Sequence, residues 1–496
     1  NFKNSFLTVF ETNYIKRSIL FIPILLILFI GVRSSFDHRP ANTSDAMYSA
    51  NRMVNEITKN SIHNILSAVY VNNKHGSKNI MKQYGKMDIQ EAISRVQGRL
   101  NIQSIDEKLP MTRFVKSNFQ TTKPKNLVIF VQESLGYQFM HAVGGEENIT
   151  PHLNQLSKEG ILFKDLYSNG TRSIRGLAGS VAGNFSVPGK GVLKRNKSQS
   201  DFFTIASALK PLGYHTSFMY GGESRFDNMK SWFVGNGFDE IIDQPKFANP
   251  TFTSPWGVCD EDVVVQANQE FKRMHEQNQK FATVIFSTSN HSPFEFPYEK
   301  ITPVEGVELK SVKNAVKYAD FSIGRFIELA KAQEYYKDTI IVVISDHNTR
   351  VYGDDMIPID MFHVPAIILG ADVKPMTYDK LATQPDVLAT ALDLIGLDLT
   401  YPIMGHSIFS DKKQNLALMQ FHTAYALRVD DKVAIIRPNK EALTFLYEDP
   451  ESYLDKSKHL TPIENDKELE KDALAFVLTL NHLYEEKLYT DKKGNK

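Results

Sequence analysis

The stretch IIVVISDHN, residues 340–348, decides the fold class. It begins with a short, uninterrupted apolar run, which is typical of a strand buried on both faces of a sheet. Similar runs lie at residues 127–131 and 282–286, a further strand is predicted at residues 215–219, and segments with a helical pattern separate them. Because buried strands that alternate with helices build a parallel sheet covered on both faces, the sequence predicts an α/β fold with a mainly parallel sheet.

Polar residues follow several of these predicted strands. Glu133 comes shortly after the first run, His291 follows the run at 282–286, and Asp346 and His347 follow the quoted run. Ligands of parallel α/β sheets bind just beyond the carboxyl ends of the strands. Carboxylates and imidazoles without a thiol suit Mn²⁺, Mg²⁺ or Zn²⁺. Any one of these residues could instead be a helix cap or a loop residue, but the adjacent Asp-His pair favours a metal site.

The loop SNGTRSIRG, residues 168–176, combines hydroxyl groups with Arg172 and Arg175 ahead of a predicted helix. A helix N-terminus binds anions through its free N–H groups, and arginine matches phosphate oxygens. A hydroxyl in this loop that contacted a metal would lose its proton more easily and become a nucleophile. The alternative is an ordinary polar turn with surface arginines.

Composition limits the classes of function. Lys plus Arg and Asp plus Glu both number 57, so the formal net charge is zero and a nucleic-acid partner is not expected. The single cysteine, Cys259, allows no internal disulfide and no zinc site with two or four cysteines.

The N-terminal run ILFIPILLILFIGV, residues 19–32, is apolar throughout, with Lys16 and Arg17 before it and Arg33 after it. It is shorter than the roughly 17–25 residues of a spanning helix, but the flanking residues extend its reach. A membrane anchor is favoured over a buried core helix and over a cleaved signal peptide. Because the chain starts with an asparagine, we expect it to be a piece of a longer protein.

Changes in the pattern of apolar and polar residues divide the chain into four predicted parts. They are a membrane anchor at 1–36, a helical linker at 37–122, an α/β catalytic domain at 123–412, and a small antiparallel sheet with a final helix at 413–496. Short apolar segments joined by tight polar links predict the antiparallel sheet.

Several stretches occur in an order that resembles one enzyme family. They are NLVIFVQES (126–134), ITPHLNQLSKEGILFKDLYSNGTRSIRG (149–176), FMYGGESRFDNMKSWFVGNGFDEIIDQ (218–244), WGVCDEDV (256–263), FSTSNHSPFEFP (286–297) and ISDHNTRV (344–351). They are similar to the lipoteichoic acid synthase-like phosphoglycerol transferases of the alkaline phosphatase/sulfatase superfamily.

The resemblance implies a divalent metal, usually manganese, held by Glu133, Thr171, Asp346 and His347, with magnesium or zinc as alternatives. It implies that Thr171 is also the nucleophile and that His291 contacts the substrate.

The sequence departs from the family at one residue that contacts phosphate. Met229 stands where the Gram-positive synthases carry an arginine that grips phosphate. Arg225, Arg172 and Arg175 are the candidate replacements, and together with Asp227 and His291 they form the predicted substrate-binding set. This departure favours the branch found in Gram-negative bacteria.

The function implied by the resemblance is metal-dependent transfer of phosphoglycerol from phosphatidylglycerol to a glycan or polyol-phosphate acceptor, through a covalent threonine intermediate. The enzyme would sit in the bacterial inner membrane, with the predicted anchor as the last of several transmembrane helices and the catalytic domain on the extracytoplasmic side. The runner-up is a phosphodiesterase, phosphatase or sulfatase-type hydrolase that uses the same site. Residues 171–175 lack the Pro of the sulfatase signature, and the lone cysteine cannot supply the disulfides of phosphoethanolamine transferases. A catalytically idle glycan- or lipid-binding protein is a third hypothesis, which the intact set of site residues disfavours.

Overall fold

The computed structural model describes residues 14–33, 42–49, 52–58, 79–145, 148–450 and 457–490, with the single positions 61, 65, 69 and 452. The helices are α1 Tyr14–Arg33, α2 Arg52–Thr58, α3 Ile80–Tyr84, α4 Ile89–Leu100, α5 Pro151–Leu156, α6 Ser173–Ala182, α7 Ile205–Leu209, α8 Met229–Gly235, α9 Asp260–Glu276, α10 Val312–Lys331, α11 Gln384–Leu394 and α12 Lys467–Glu486. The strands are β1 Arg113–Val115, β2 Asn126–Gln132, β3 Ile161–Phe163, β4 Leu166–Tyr167, β5 His215–Tyr220, β6 Glu240–Ile242, β7 Thr253–Ser254, β8 Gly257–Val258, β9 Phe281–Phe286, β10 Thr339–Ser345, β11 Ala366–Leu369, β12 Met376–Tyr378, β13 Ala382–Thr383, β14 Leu399–Tyr401, β15 Leu416–Phe421, β16 Ala424–Val429, β17 Lys432–Ile436, β18 Leu443–Tyr447 and β19 Leu460–Pro462.

An eight-stranded sheet with the order β12-β3-β11-β10-β2-β9-β5-β6 forms the centre of the molecule. The strands β10, β2, β9, β5 and β6 are neighbours and run parallel, whereas β11 runs antiparallel to both of its neighbours. The predicted mainly parallel α/β fold is therefore confirmed. Because four of the predicted strands lie side by side in parallel, their carboxyl ends meet at one edge of the sheet.

Alternate side chains of the central strands enter different hydrophobic clusters. Ile129 and Val342 pack into one cluster, and the neighbouring Val128 and Val343 pack into another. All seven residues of β2 and of β10 are buried. This explains why their sequences are continuous apolar runs without polar alternation.

The predicted C-terminal antiparallel sheet is confirmed. Strands β15 to β19 form it in sequential order, and every neighbouring pair runs antiparallel. The fifth strand, β19, was not predicted, because it is only three residues long and ends in a proline. The final helix α12 begins at Lys467, because the side chain of Asp466 caps it by accepting a hydrogen bond from the Leu469 N–H at 3.1 Å.

The segment predicted as a linker makes extensive contacts where the structure describes it. Helix α4 packs along α12, and the guanidinium of Arg95 bonds to Glu468 and to the buried Asp472, each at 2.9 Å. Arg99 adds a second contact to Asp472, at 2.6 Å. Strand β1 pairs with β14 of the α/β domain. The proposed domain boundaries stay a prediction.

The apolar N-terminal run does form a helix, α1, and its apolar side chains at Ile19 and from Phe21 to Ile30 are exposed. Over the described residues, none of the helices has the length and apolar character needed to span a bilayer. The predicted membrane helix is therefore not confirmed. The apolar run has 14 residues and charged residues at both ends, below the roughly 17–25 that spanning requires.

Candidate active site

Three of the four predicted metal ligands meet at the carboxyl edge of the central sheet. Glu133 follows β2, and Asp346 and His347 follow the neighbouring β10. One ligand atom from each lies within 4.8 Å of the others, and all three residues are buried. The Nε2 atom of His347 lies 3.4 Å from Glu133 Oε1 and 3.3 Å from Asp346 Oδ2. The strands thus deliver two carboxylates and one imidazole to a single point.

Backbone groups fix the orientation of these side chains. Asp346 Oδ1 accepts hydrogen bonds from the N–H groups of Ser134 and His347, at 2.8 and 2.7 Å. The Nδ1 atom of His347 lies 2.7 Å from the carbonyl oxygen of Asn348. A carbonyl oxygen can only accept, so Nδ1 keeps its proton, and Nε2, which faces the carboxylates, is the nitrogen that would give up its proton to bind a metal. This is the tautomer that a metal-binding histidine needs.

The imidazoles of the cluster do not supply enough positive charge to stabilise both buried carboxylates. Burial raises the pKa of Asp346, and the charge of Glu133 raises it further. Burial acts in the same direction on Glu133, but the charges of His291 and His347 outweigh it and hold the pKa of Glu133 well below its usual range. Burial lowers the pKa of His347, yet Asp346 and Glu133 together raise it to about 9. Two carboxylates therefore compete for the same imidazole charges.

One further atom indicates that the residues fit a cation. Asp346 Oδ2 is buried and accepts no hydrogen bond from any residue that the structure describes. A buried carboxylate oxygen without a donor is costly unless a cation neutralises it. Oxygen and imidazole donors together suit a divalent ion such as Mn²⁺, Mg²⁺ or Zn²⁺. The donor set therefore fits the divalent cation that the sequence predicted.

The predicted nucleophile loop reaches the cluster through a different hydroxyl. Ser173 is the first residue of α6, and its Oγ donates to Glu133 Oε2 at 2.9 Å and lies 3.3 Å from His347 Nε2. The Thr171 hydroxyl, two residues earlier, makes no hydrogen bond within the described part of the chain. Helix α6 itself packs against the cluster, because a Cβ at Gly176 would lie 2.3 Å from the Asp346 carbonyl oxygen. The sequence did not single out Ser173, since only the start of the helix decides which hydroxyl faces inward.

His291 lies beside the same carboxylate. Its Nε2 atom is 3.6 Å from Glu133 Oε2, and its side chain is half-buried. The preceding residue, Asn290, donates from Nδ2 to the carbonyl oxygen of Glu133 at 2.9 Å. The ring of His291 stacks on Trp256, with 3.9 Å between the ring centres. Trp256 was quoted only as part of a matching stretch and was not recognised as a site residue.

The four other predicted substrate-binding residues lie in different environments. Arg175 is half-buried and donates to Gln420 Oε1 and to the Gly189 carbonyl oxygen, both at 2.8 Å, so it ties α6 to the C-terminal sheet. Arg225 bonds to Glu223 at 3.1 Å through two nitrogens and lies 3.6 Å from Asp45. Asp227 pairs with Lys194.

Arg172 differs from Arg175, Arg225 and Asp227. It is the N-cap residue of α6, and its side chain is exposed and makes no ion pair or hydrogen bond with the described residues. Met229, which replaces the arginine of the Gram-positive synthases, is buried. Arg172 is therefore the arginine of this set that remains available to an anionic substrate at the helix N-terminus.

Comparison with known proteins agrees with this geometry. Residues 125–397, more than half of the chain, match the family described as Sulfatase. The chain belongs to the sulfatase family. A solved structure of a protein in the alkaline phosphatase superfamily from Vibrio parahaemolyticus is 38% identical with a TM-score of 0.79, covering 84% of this chain and 100% of that one. The lipoteichoic acid synthase LtaP from Listeria monocytogenes shares the fold, with 17% identity and a TM-score of 0.59 over 80% of this chain and 98% of that one.

Two relatives of this sulfatase-family chain carry names that describe transfer chemistry or resemblance to such an enzyme. Phosphoglycerol transferase I of Escherichia coli O6:K15:H31 is 28% identical over 356 residues, which cover 67% of this chain and 45% of the relative. The lipoteichoic acid synthase-like protein YvgJ of Bacillus subtilis is 24% identical over 338 residues, 62% of this chain and 53% of the relative. The chain thus spans about half the length of these relatives. The resemblance predicted from the sequence is confirmed.

Proposed function

We propose that this protein is a metal-dependent phosphotransferase that moves phosphoglycerol from phosphatidylglycerol to a glycan or polyol-phosphate acceptor. The observation that carries the proposal is the convergence of Glu133, Asp346 and His347 with the N-terminus of α6, where the Ser173 hydroxyl contacts the cluster. A helix N-terminus stabilises the negative charge of a phosphodiester, and an adjacent hydroxyl supplies a nucleophile. The names of the two relatives support phosphoglycerol as the transferred group.

Each site residue has its own role in the proposed reaction. Glu133, Asp346 and His347 would hold the cation, for which manganese is the proposed ion. A divalent ion bound there lowers the pKa of a neighbouring hydroxyl and offsets the charge of the phosphate. Arg172 and the free N–H groups of α6 bind the phosphodiester oxygens. His291, at the rim of the cluster, donates a proton to the oxygen of the leaving diacylglycerol.

The proposed chemistry has two steps that share one covalent intermediate. The Thr171 hydroxyl forms a bond to phosphorus, the bond from phosphorus to the diacylglycerol oxygen breaks, and diacylglycerol leaves with a proton. An acceptor hydroxyl then attacks the phosphoglyceryl-threonine and restores Thr171. Transfer to water in this second step would make the protein a hydrolase, which is the competing function for the same site.

Ser173 is a second candidate nucleophile, because its hydroxyl is the one that contacts Glu133 and His347. The two candidates predict different adducts. The experiment is to incubate the protein with phosphatidylglycerol and Mn²⁺, quench it in acid, and locate the phosphoglyceryl group by peptide mass spectrometry. An adduct on Thr171 supports the first assignment, and an adduct on Ser173 replaces it. The absence of both adducts, with diacylglycerol still released, would contradict the covalent mechanism.

The acceptor and the location belong to the same proposal. We place the protein at the bacterial inner membrane, with the catalytic domain on the extracytoplasmic side, because the proposed donor is a membrane lipid. The assay for the acceptor compares diacylglycerol release with and without a β-glucan or a short glycerol-phosphate chain, and follows the radiolabelled glycerol. Label in the polymer supports transfer, whereas free glycerol phosphate in the presence of every acceptor supports the hydrolase.

A further inference from the structure

Trp256 lies at the tip of a small hairpin whose position the proposed chemistry does not explain. Strands β7 and β8 pair antiparallel and leave Pro255 and Trp256 between them. The indole ring lies almost parallel to the imidazole of His291, at 3.9 Å between centres and 19° between planes. Phe226 meets the same indole edge-on at 6.0 Å. The hairpin therefore places one aromatic face against a residue of the active site.

The hairpin is fixed against the end of the central sheet. The Val258 N–H donates to the carbonyl oxygen of Gly221, which directly follows β5, at 2.8 Å. A Cβ at Gly222 would lie 2.5 Å from the Trp256 carbonyl oxygen, so the two backbones are in contact. Gly257 adopts a φ of +130°, a conformation that L side chains rarely take. Because its backbone cannot shift without displacing the sheet end, the hairpin offers a rigid support for a side chain.

The loop that carries His291 is held on both sides of the imidazole. Asn290, before it, bonds to the Glu133 carbonyl oxygen at 2.9 Å. Ser292, after it, accepts a hydrogen bond at 2.8 Å from the indole Nε1 of Trp256. The same indole thus fixes the loop by its N–H group and fixes the ring by stacking. With both contacts in place, His291 Nε2 points at Glu133 from 3.6 Å.

We propose that Trp256 is a positioning residue that holds the His291 imidazole in the orientation required for the transfer reaction. Trp256 acts through His291 and not by contact with the substrate. Without the indole, the imidazole is free to rotate about its two side-chain bonds, which displaces Nε2 by more than an ångström. A displacement of about 1 Å can cost around 100-fold in rate. The kinetic part of this inference rests on the proposed function, whereas the structural part does not.

The test compares three single variants. Trp256→Leu removes both the stack and the N–H donor, and we expect kcat to fall about 10- to 100-fold with KM within about threefold. Trp256→Phe keeps an aromatic face and loses only the donor, so we expect it to retain most of the activity. Phe119→Leu is the matched control: Phe119 is a partly exposed aromatic that packs edge-on against Phe409 at 4.9 Å, near the opposite edge of the sheet. We expect it to leave kcat unchanged.

A double-mutant cycle separates positioning from substrate contact. If Trp256 acts through His291, the Trp256→Leu change costs nothing further in a His291→Gln background, because the imidazole it positions is gone. If the two losses multiply, Trp256 acts independently of His291 and the proposal is overturned. A large rise in KM for Trp256→Leu with an unchanged kcat would also overturn it.

A spectroscopic measurement needs no substrate. The ring protons of His291, assigned by their loss in His291→Gln, should be shifted upfield by the indole ring current in the parent and in part in Trp256→Phe. We expect this shift to disappear in Trp256→Leu, and the same signal in that variant at the parent position overturns the proposal. If the parent releases no diacylglycerol, the proposed function fails, and this measurement still decides whether Trp256 stacks on the His291 imidazole in solution.

Discussion

The two edges of the central sheet carry buried polar residues that are arranged in opposite ways. At the amino edge, Asn126 begins β2; its Oδ1 accepts the Phe281 N–H at 3.1 Å and its Nδ2 donates to Thr339 Oγ1 at 3.4 Å. Thr339 Oγ1 in turn donates to the Tyr335 carbonyl oxygen at 2.6 Å. At the carboxyl edge, Asp346 lies beside another carboxylate and keeps one oxygen without a donor among the described residues.

The difference distinguishes buried polar groups that stabilise the fold from buried polar groups that bind a ligand. Satisfied hydrogen bonds at the amino edge stabilise the strand ends and need no partner from outside the chain. Buried like charges at the carboxyl edge are costly until a cation arrives, so the chain gives up stability there for binding. Mutations at the carboxyl edge should therefore change mainly metal affinity, whereas mutations at the amino edge should change mainly the free energy of unfolding.

The largest effect is expected for Asp346→Asn. Removing one of the two carboxylates should weaken metal binding and reduce turnover by more than the roughly 10- to 100-fold typical of an outer-shell partner. Above about pH 8, where Asp346 is ionised, the metal-free variant should melt at a higher temperature than the parent, because the like-charge repulsion with Glu133 is gone while Oδ1 keeps its two N–H donors. Calorimetric titration with Mn²⁺ and thermal melting in EDTA check both halves. A metal-free variant that melts lower would contradict this view of the carboxyl edge.

Thr171→Ala should affect chemistry more than binding. We expect diacylglycerol release to fall about 1,000-fold or more, since the proposed nucleophile is lost, while Mn²⁺ affinity changes less than about tenfold because three ligands remain. Thr171→Ser keeps the hydroxyl and should retain measurable activity. Ser173→Ala is the comparison variant. If Ser173→Ala loses turnover and Thr171→Ala does not, the nucleophile is Ser173.

Asn126→Ala tests the amino edge. It leaves the buried N–H of Phe281 without an acceptor, which costs about 1–3 kcal/mol of the free energy of unfolding. Metal affinity and kcat should match the parent, because Asn126 stands at the far end of β2 from Glu133. Urea unfolding and Mn²⁺ titration of the same preparation measure both. A loss of metal affinity comparable with that of Asp346→Asn would show that the two edges are not independent.

The smallest effect is expected for Lys337→Ala. Its ion pair with Glu334 is exposed on both sides, at 69% and 73% of the side-chain surface. Such pairs contribute about 0–1 kcal/mol, so stability and activity should both stay close to those of the parent. Urea unfolding provides the measurement, and a shift above about 1 kcal/mol would indicate that the surface near β10 is coupled to the sheet.

Most of the fold could be predicted from local sequence. The buried strands are recognisable because a strand covered on both faces must be apolar at every position, and the structure has them at Asn126–Gln132 and Thr339–Ser345. The metal cluster could also be predicted, because parallel strands bring the residues that follow them to one edge. Glu133, Asp346 and His347 need only that rule and the adjacency of β2 and β10.

Contacts between distant segments decided the rest. Arg175 was predicted to bind substrate, but the C-terminal sheet approaches α6 closely enough for Gln420 to bind its guanidinium. The role of Trp256 depends on a hairpin that meets the loop of His291, which lies 35 positions later in the chain. The choice between Thr171 and Ser173 depends on where α6 begins.

The sequence by itself determined the strands, the polar residues that follow each strand, and the chemical class of the site, since these follow from local apolar runs and residue types. Only the tertiary structure decided which hydroxyl contacts the carboxylates, which arginine stays open to an anion, and which aromatic ring holds the imidazole. The physical reason is that these outcomes depend on ångström-scale distances between segments far apart in the chain, and no local pattern encodes such distances.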